Sequence, residues 1–292
     1  MSQFEIPADK VREMQMVGLN MALFFDEFCT KHNLTYFLCG GCCIGSIRSG
    51  GFIPWDDDVD VFMPRGDYEK LKKLWVDTKE YSIQYPTRDF ATENQFLTIC
   101  ANNTTFIKTY QKDLDINHGV VLDVLPIDGC PKGWRRKTQK LWALLYSLFV
   151  VGKAPENHGK AVYSLGKIAL ALVHPKSWRY GVWHFCEKKM SQYAIEDCDL
   201  ITELCSGPHY MQNEYPKELF AKAIRVPFEG YQLPIPVGYD GYLKMAFGDY
   251  MALPPKEKQV CHHEYEFMDM HNSYTQYKGK YYCVQNSGVK SE

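Results

Sequence analysis

Four aspartates in five positions, Asp56, Asp57, Asp58 and Asp60, stand in the stretch GGFIPWDDDVDVFMP (residues 50–64) and run straight into strong β-formers. Adjacent anions repel, so a chain that keeps them together must supply cations or leave the acids to water. The residues that follow set a strand over residues 58–63. Its period of two turns Asp58 and Asp60 to one face and Val59 and Val61 to the core. Two carboxylates one strand repeat apart make a hard-oxygen bite for Mg²⁺ or Mn²⁺. Asp56 and Asp57 fall in the preceding turn, behind the stiff Pro54–Trp55 pair, where they cap, bond backbone or add to the negative field. A solvated acidic turn does not account for acids inside a strand. A calcium loop on Asp56, Asp58 and Asp60 fails, because its sixth position is Val61 where glycine is required and no glutamate closes it. The D-x-D of a sugar-nucleotide glycosyltransferase stays open as the alternative.

Upstream, FLCGGCCIGSIR places a strand, the pair Gly40 and Gly41, and a short helix ending near Arg48. Glycines at a strand-to-helix turn let backbone N–H groups approach a phosphate, and the helix N-terminus favours negative charge. A phosphate cradle within twenty residues of a D-x-D strand is the layout of a nucleotidyltransferase-type fold. Such sites use a third carboxylate on a neighbouring strand, and Asp123, set between Leu122 and Val124 in an apolar run, supplies one; the other reading is a hydrogen-bonded core aspartate. Asp128 reads as a structural turn residue.

Apolar positions from Val11 to Phe28 recur at helical spacing over residues 8–32, and short strand-like pieces follow up to residue 130. Residues 134–193 turn helical. AIRVPFEGYQLPIP reads as a hairpin around Glu229–Gly230, and residues 239–263 as helix, turn, helix. The whole is α+β: a mixed sheet in residues 1–130, a helical insertion over 131–210, and a return to the core over 211–292. Without a Ser/Gly/Pro-rich linker, a single catalytic domain spanning 1–292 is expected.

A formal net charge of −2 over 292 residues gives no basic field, which argues against nucleic acid as a partner. Eleven scattered cysteines, with no basic or apolar leader before them, fit reduced thiols in the cytoplasm. The apolar runs at residues 141–151, behind WRRKTQK, and 165–174 are too short to span a bilayer. They read first as core helices; a peripheral contact at the inner membrane face is the alternative. Cys39 and Cys42 have C-x-x-C spacing, but no second pair lies at finger-like distance, so the glycines there belong to the phosphate turn. In the CHH run, Cys261, His262 and His263 diverge on a helix, and a substrate contact by one histidine is favoured over a metal site.

The stretch YFLCGGCCIGSIRSGGFIPWDDDVDVFMPRGDYEKL resembles the signature of the LicD family of bacterial phosphotransferases, related to the fukutin-type ribitol-phosphate transferases. HGVVLDVLPIDGCP and FEGYQLPIPVGYDGYLKMAFGDYMALPPKEKQ resemble further blocks of it. The resemblance implies transfer of a phospho-alcohol, typically phosphocholine from CDP-choline, onto a sugar of a cell-surface glycan such as lipopolysaccharide or teichoic acid, with a lipid-linked acceptor among the forms it takes. Asp58, Asp60 and Asp123 would then be catalytic and hold two Mg²⁺ or Mn²⁺ ions, and Arg48 would meet the diphosphate. Gly40, Gly41 and Cys42 would sit against it, with Cys42 replacing the usual Ser or Thr. Lys108 is a candidate for balancing phosphate charge, and Trp55 is the aromatic nearest the motif for an aminoalcohol headgroup.

Overall fold

The computed structural model describes residues 6–155, 159–173, 176–261 and 263–284. The apolar spacing at the start forms α1 (Ala8–His32), which stops where Asn33 turns left-handed at φ 52° and the Leu34 N–H closes on the Cys29 carbonyl at 2.9 Å. After it come β1 (Phe37–Leu38), α2 (Gly40–Ser49), β2 (Val59–Pro64), α3 (Arg65–Leu74), β3 (Tyr81–Gln84), β4 (Leu97–Ala101), β5 (Thr105–Lys108) and β6 (Val121–Cys130). The middle carries α4 (Trp134–Val151), α5 (Lys160–Leu172) and α6 (Lys176–Met190). The chain then adds β7 (Leu200–Glu203), β8 (Tyr215–Pro216), the hairpin β9 (Ala223–Phe228) with β10 (Tyr231–Pro236), α7 (Tyr239–Phe247) and β11 (Tyr265–Asp269).

The fold is α+β, built on a mixed sheet in which the ten-residue β6 is central. β2 runs parallel to it along one edge. On the other edge β4 pairs with its first half and β7 with its second, both antiparallel. One face of the sheet is dry. Gly18 of α1 lies so close to the strand that a Cβ there would meet Val59 Cγ2 at 2.9 Å, and Val59, Val61 and Val124 are buried. The alternation of β2 therefore sends Asp60 and Phe62 to the opposite face.

Three expectations need correcting. Residues 131–210 are not wholly helical, because β7 joins the main sheet there. LITE is too short, and too closely flanked by acids, to show a strand period. The second helix of the tail is a single 3₁₀ turn, Lys256–Lys258, since Pro254 and Pro255 break the chain before it. Asp128 is no turn residue. It lies inside β6, fully buried, and accepts two hydrogen bonds from Arg65, at 2.8 and 2.7 Å.

That buried pair gives a stability test. Arg65→Met leaves the Asp128 carboxylate without its partner and should lower the urea-unfolding free energy by about 3–5 kcal/mol. Arg65→Met combined with Asp128→Leu should recover most of the loss, and a double variant as unstable as the single one would contradict a pairwise origin.

Candidate active site

Three segments position the acidic loop. Gln15, buried on α1, donates its amide to the carbonyls of Ile53 at 3.0 Å and Asp56 at 2.9 Å. Glu229, at the tip of the β9–β10 hairpin, accepts the Phe52 N–H at 3.0 Å and is gripped by Arg12 at 3.1 and 2.7 Å. The Cys42 thiol donates to the Asp58 carbonyl at 3.6 Å.

Asp60 and Asp123 are register partners across the parallel β2–β6 pair, so both point to the same face. Phe62 pairs with Leu125 one repeat further on, and Glu203 of β7 follows opposite Ile127. A cavity of about 650 Å³ opens over this face, lined by Gly40, Gly41, Asp56, Asp58 and Asp60 together with Glu203, Tyr210, Tyr215, Tyr242 and Phe247, whereas Asp123 is buried and is not part of its lining. Arg48 and Trp55 also line it.

Burial, and then the neighbouring charges of Asp58, Asp123 and Asp56, push the Asp60 carboxyl well above the usual range. Asp56 is raised in the same way by burial, Asp58 and Asp57. Burial also raises Asp123, against the opposing charge of Lys108. Burial lowers the Lys108 ammonium, but Asp123, Tyr110, Asp58 and Asp60 together outweigh it, so its value ends above the ordinary lysine range. Lys108 is brought there by β5, which pairs with β11 so that Lys108 faces Tyr265.

Two residues before Tyr265, His263 places Nδ1 3.1 Å from Asp57 Oδ1 and Nε2 4.0 Å from Asp58 Oδ2. Among the described residues, Asp57, Asp58 and His263 bring one donor atom each within 4.8 Å of one another. Asp56 Oδ2, Asp57 Oδ2 and Asp123 Oδ1 are buried without a hydrogen-bond partner. Unsatisfied buried carboxylate oxygens are costly, and a hard divalent cation is the group that satisfies several at once. The donor set fits such an ion.

Several expected site residues take other places. Cys42 is buried with its thiol on the Asp58 carbonyl, not turned to the cavity. Lys108 is buried behind the carboxylates and balances Asp123 rather than facing the cavity. Arg48 reaches the cavity, but its Nη2 is held by the carbonyls of Tyr250 and Ala252. The Gly40 N–H donates to the Tyr242 hydroxyl at 3.1 Å, and a Cβ on Gly41 would lie 1.9 Å from Asp56 Oδ2. The glycine pair thus admits a carboxylate against the start of α2. Glu203, Tyr210 and Tyr242 escaped the sequence reading, as they lie far from the motif. His263 carried a weak signal in CHH, whereas His262 lies outside the described residues.

A mixed sheet with paired aspartates beside a glycine-opened helix defines a nucleotidyltransferase-type domain. A family model described as LicD/FKTN/FKRP, nucleotidyltransferase domain, matches residues 33–141. Over 267 residues the chain is 30% identical to the lipopolysaccharide cholinephosphotransferase LicD of Haemophilus influenzae, covering 87% of this chain and 96% of that protein. An uncharacterised protein of Rickettsia typhi is 27% identical over 104 residues, 35% of this chain and 31% of its own length. The chain belongs to the LicD family.

The raised carboxyls fix the sign of a pH effect. Asp56, Asp60 and Asp123 hold protons more tightly folded than unfolded, so their contribution is complete below the ordinary aspartate value of about 4 and is lost as pH rises through the folded values. The cation-free chain should melt at a lower temperature at about pH 8 than at about pH 5, and Mn²⁺ or Mg²⁺ should raise the midpoint chiefly at the higher pH. Calorimetry showing equal shifts at both values would break the link between the cluster and a cation.

Proposed function

We propose that this chain is a divalent-cation-dependent phosphotransferase that moves phosphocholine from CDP-choline onto a sugar hydroxyl of a surface glycan and releases CMP. The observation that carries the reading is a single cavity lined both by the carboxylates of Asp56, Asp58 and Asp60 and by Glu203 with Tyr210, Tyr215, Tyr242 and Phe247. The Haemophilus influenzae relative, named a lipopolysaccharide cholinephosphotransferase, supports it.

Asp58, Asp60 and Asp123 are assigned to cation binding and catalysis, with His263 added as a donor that Asp57 orients through Nδ1. A cation held there supplies charge neutralisation for the diphosphate. The acceptor hydroxyl oxygen bonds to the choline-bearing phosphorus, the bridging P–O bond breaks, and its electron pair leaves with CMP. The hydroxyl proton passes to the Asp123 carboxylate, ionised before the step, whose burial raises its affinity for a proton. Gly40 and Gly41 line the cavity and admit the Asp56 carboxylate against α2, and Arg48 braces the 250–252 turn beside them.

Among the residues lining the cavity, Glu203 Oε1 accepts the backbone N–H groups of Cys205 and Ser206, while Oε2 is buried without a partner. Burial pushes this carboxyl up to about 7 against those two hydrogen bonds. Ring centroids lie 6.2 Å apart for Tyr210 and Phe247, 6.4 Å for Tyr242 and Phe247, and 5.3 Å for Tyr215 and Tyr242. A carboxylate among aromatic faces suits a quaternary ammonium, which brings charge but no hydrogen-bond donor.

The test is CMP release from a panel of CDP-choline, CDP-ribitol, CDP-glycerol and CDP-ethanolamine with Mg²⁺ or Mn²⁺. CDP-choline should be preferred; release of UDP or GDP from sugar nucleotides would mark a glycosyltransferase. Asp60→Asn and Asp123→Asn should each lower turnover by about 10²–10⁴-fold without lowering the melting temperature. Tyr210→Leu and Glu203→Gln should each reduce the preference for CDP-choline over CDP-ribitol by roughly tenfold while leaving CMP inhibition unchanged. An undiminished preference would place the headgroup elsewhere.

A further inference from the structure

We infer that the helical unit of α4, α5 and α6 docks this protein on an anionic lipid bilayer through the outer side of α5. The inference does not rest on the catalytic assignment. Residues 131–190 hold twelve lysines and arginines against two glutamates, although the chain as a whole has a formal charge of −2. Some of these cations are paired: Lys132 with Asp199 and Lys153 with Glu93 at the surface, and the buried Arg136 with Glu214. Arg135, Lys137, Lys160 and Lys167 are exposed and, among the described residues, have no carboxylate partner.

The second observation is apolar. Helix α5 turns Ala169, Leu170 and Val173 toward the cluster formed by Tyr146, Phe149, Trp183 and their neighbours. A different arc of the same helix leaves Val162, Leu165, Ile168 and Leu172 at 46, 67, 57 and 76% exposure. Trp178, at the start of α6, is 67% exposed. Successive members of the stripe recur every three or four residues, so they lie along one side of the helix. Lys160 and Lys167 share a direction about 140° from the centre of that stripe, on the polar side of the helix, with Lys167 5.4 Å from the Tyr163 ring.

A helix with an exposed apolar stripe and lysines on its polar side, followed by an exposed tryptophan on the next helix, suits the headgroup boundary of a membrane. Among the described residues no helix is long and apolar enough to cross one. Charge selects the occupant. A second copy would bring an equally cationic face against this one, whereas an anionic leaflet complements it.

The test is co-sedimentation of the full chain with vesicles of phosphatidylcholine alone or with about 30 mol % phosphatidylglycerol, at low salt and at about 0.5 M salt. The chain should sediment with the anionic vesicles at low salt and be released at high salt. Leu165→Ser with Leu172→Ser should weaken partitioning at least about tenfold with an unchanged melting temperature, and Lys160→Gln with Lys167→Gln should weaken the preference for the anionic vesicles. Equal sedimentation with both vesicles, none with either, or a concentration-dependent dimer that the two serine substitutions dissolve would overturn the proposal. CMP release onto a water-soluble acceptor should be the same in these variants, so a failure here and a failure of the catalytic reading show in different assays.

Discussion

Repulsion among five carboxylates governs this structure. Two like charges about 5 Å apart repel by about 3 kcal/mol at an effective dielectric of about 20, and Asp56, Asp57, Asp58, Asp60 and Asp123 share one region with the buried Lys108 ammonium. Each supporting hydrogen bond contributes only about 0.5–1.5 kcal/mol. Several are therefore needed to hold the loop, and Gln15, Glu229 and Cys42 provide them from three different segments. Without a cation the cluster relieves itself by retaining protons, as the raised Asp56, Asp60 and Asp123 carboxyls record. Stability is given up locally for a site that accepts positive charge.

The strand period turns this local tension into an ordered site. Asp60, Phe62, Asp123, Leu125 and Glu203 share one face of the sheet because they are register partners or stand an even number of positions apart. Asp128, five positions beyond Asp123, falls on the other face and finds Arg65 of α3. One strand, β6, thus carries a functional aspartate and a structural one, and parity separates them.

The same physics sets what could be read from the chain. The bounds of α1, the Asp58–Asp60 alternation and the hairpin at Glu229–Gly230 rest on neighbours a few residues apart, where periodicity and turn chemistry operate. Asp123 was legible as a third acid because an aspartate in an apolar strand demands a reason. Lys108 was singled out for phosphate charge alone, since only the pairing of β5 with the distant β11 shows that it is buried beside Asp123. The same pairing hid His263. Glu203 rests on β7, whose four residues gain strand character from β6 and not from their own pattern, and the aromatic residues beside it come from β8, α7 and the turn at Tyr210. Non-local pairing leaves little trace in a single sequence, and here it furnishes half of the cavity.

The strand β7 also joins the two ends of the molecule's chemistry. Thr202 and Glu203 are adjacent and therefore point to opposite faces. Glu203 lines the cavity, while the Thr202 hydroxyl accepts a hydrogen bond from Arg136 Nη2 at 3.0 Å. Arg136 is itself fixed by Gln139 at 2.9 Å, by the Met211 carbonyl at 2.6 Å and by Glu214 at 2.9 Å. A buried guanidinium with this many partners is rigid, because losing any one leaves a desolvated donor unpaired. The cationic helical unit and the aromatic lining of the cavity are thus held to one strand by one side chain. A membrane surface engaged by α5 would accordingly fix the cavity's orientation relative to the bilayer, and the acceptor's hydroxyl would meet the carboxylates from a defined side.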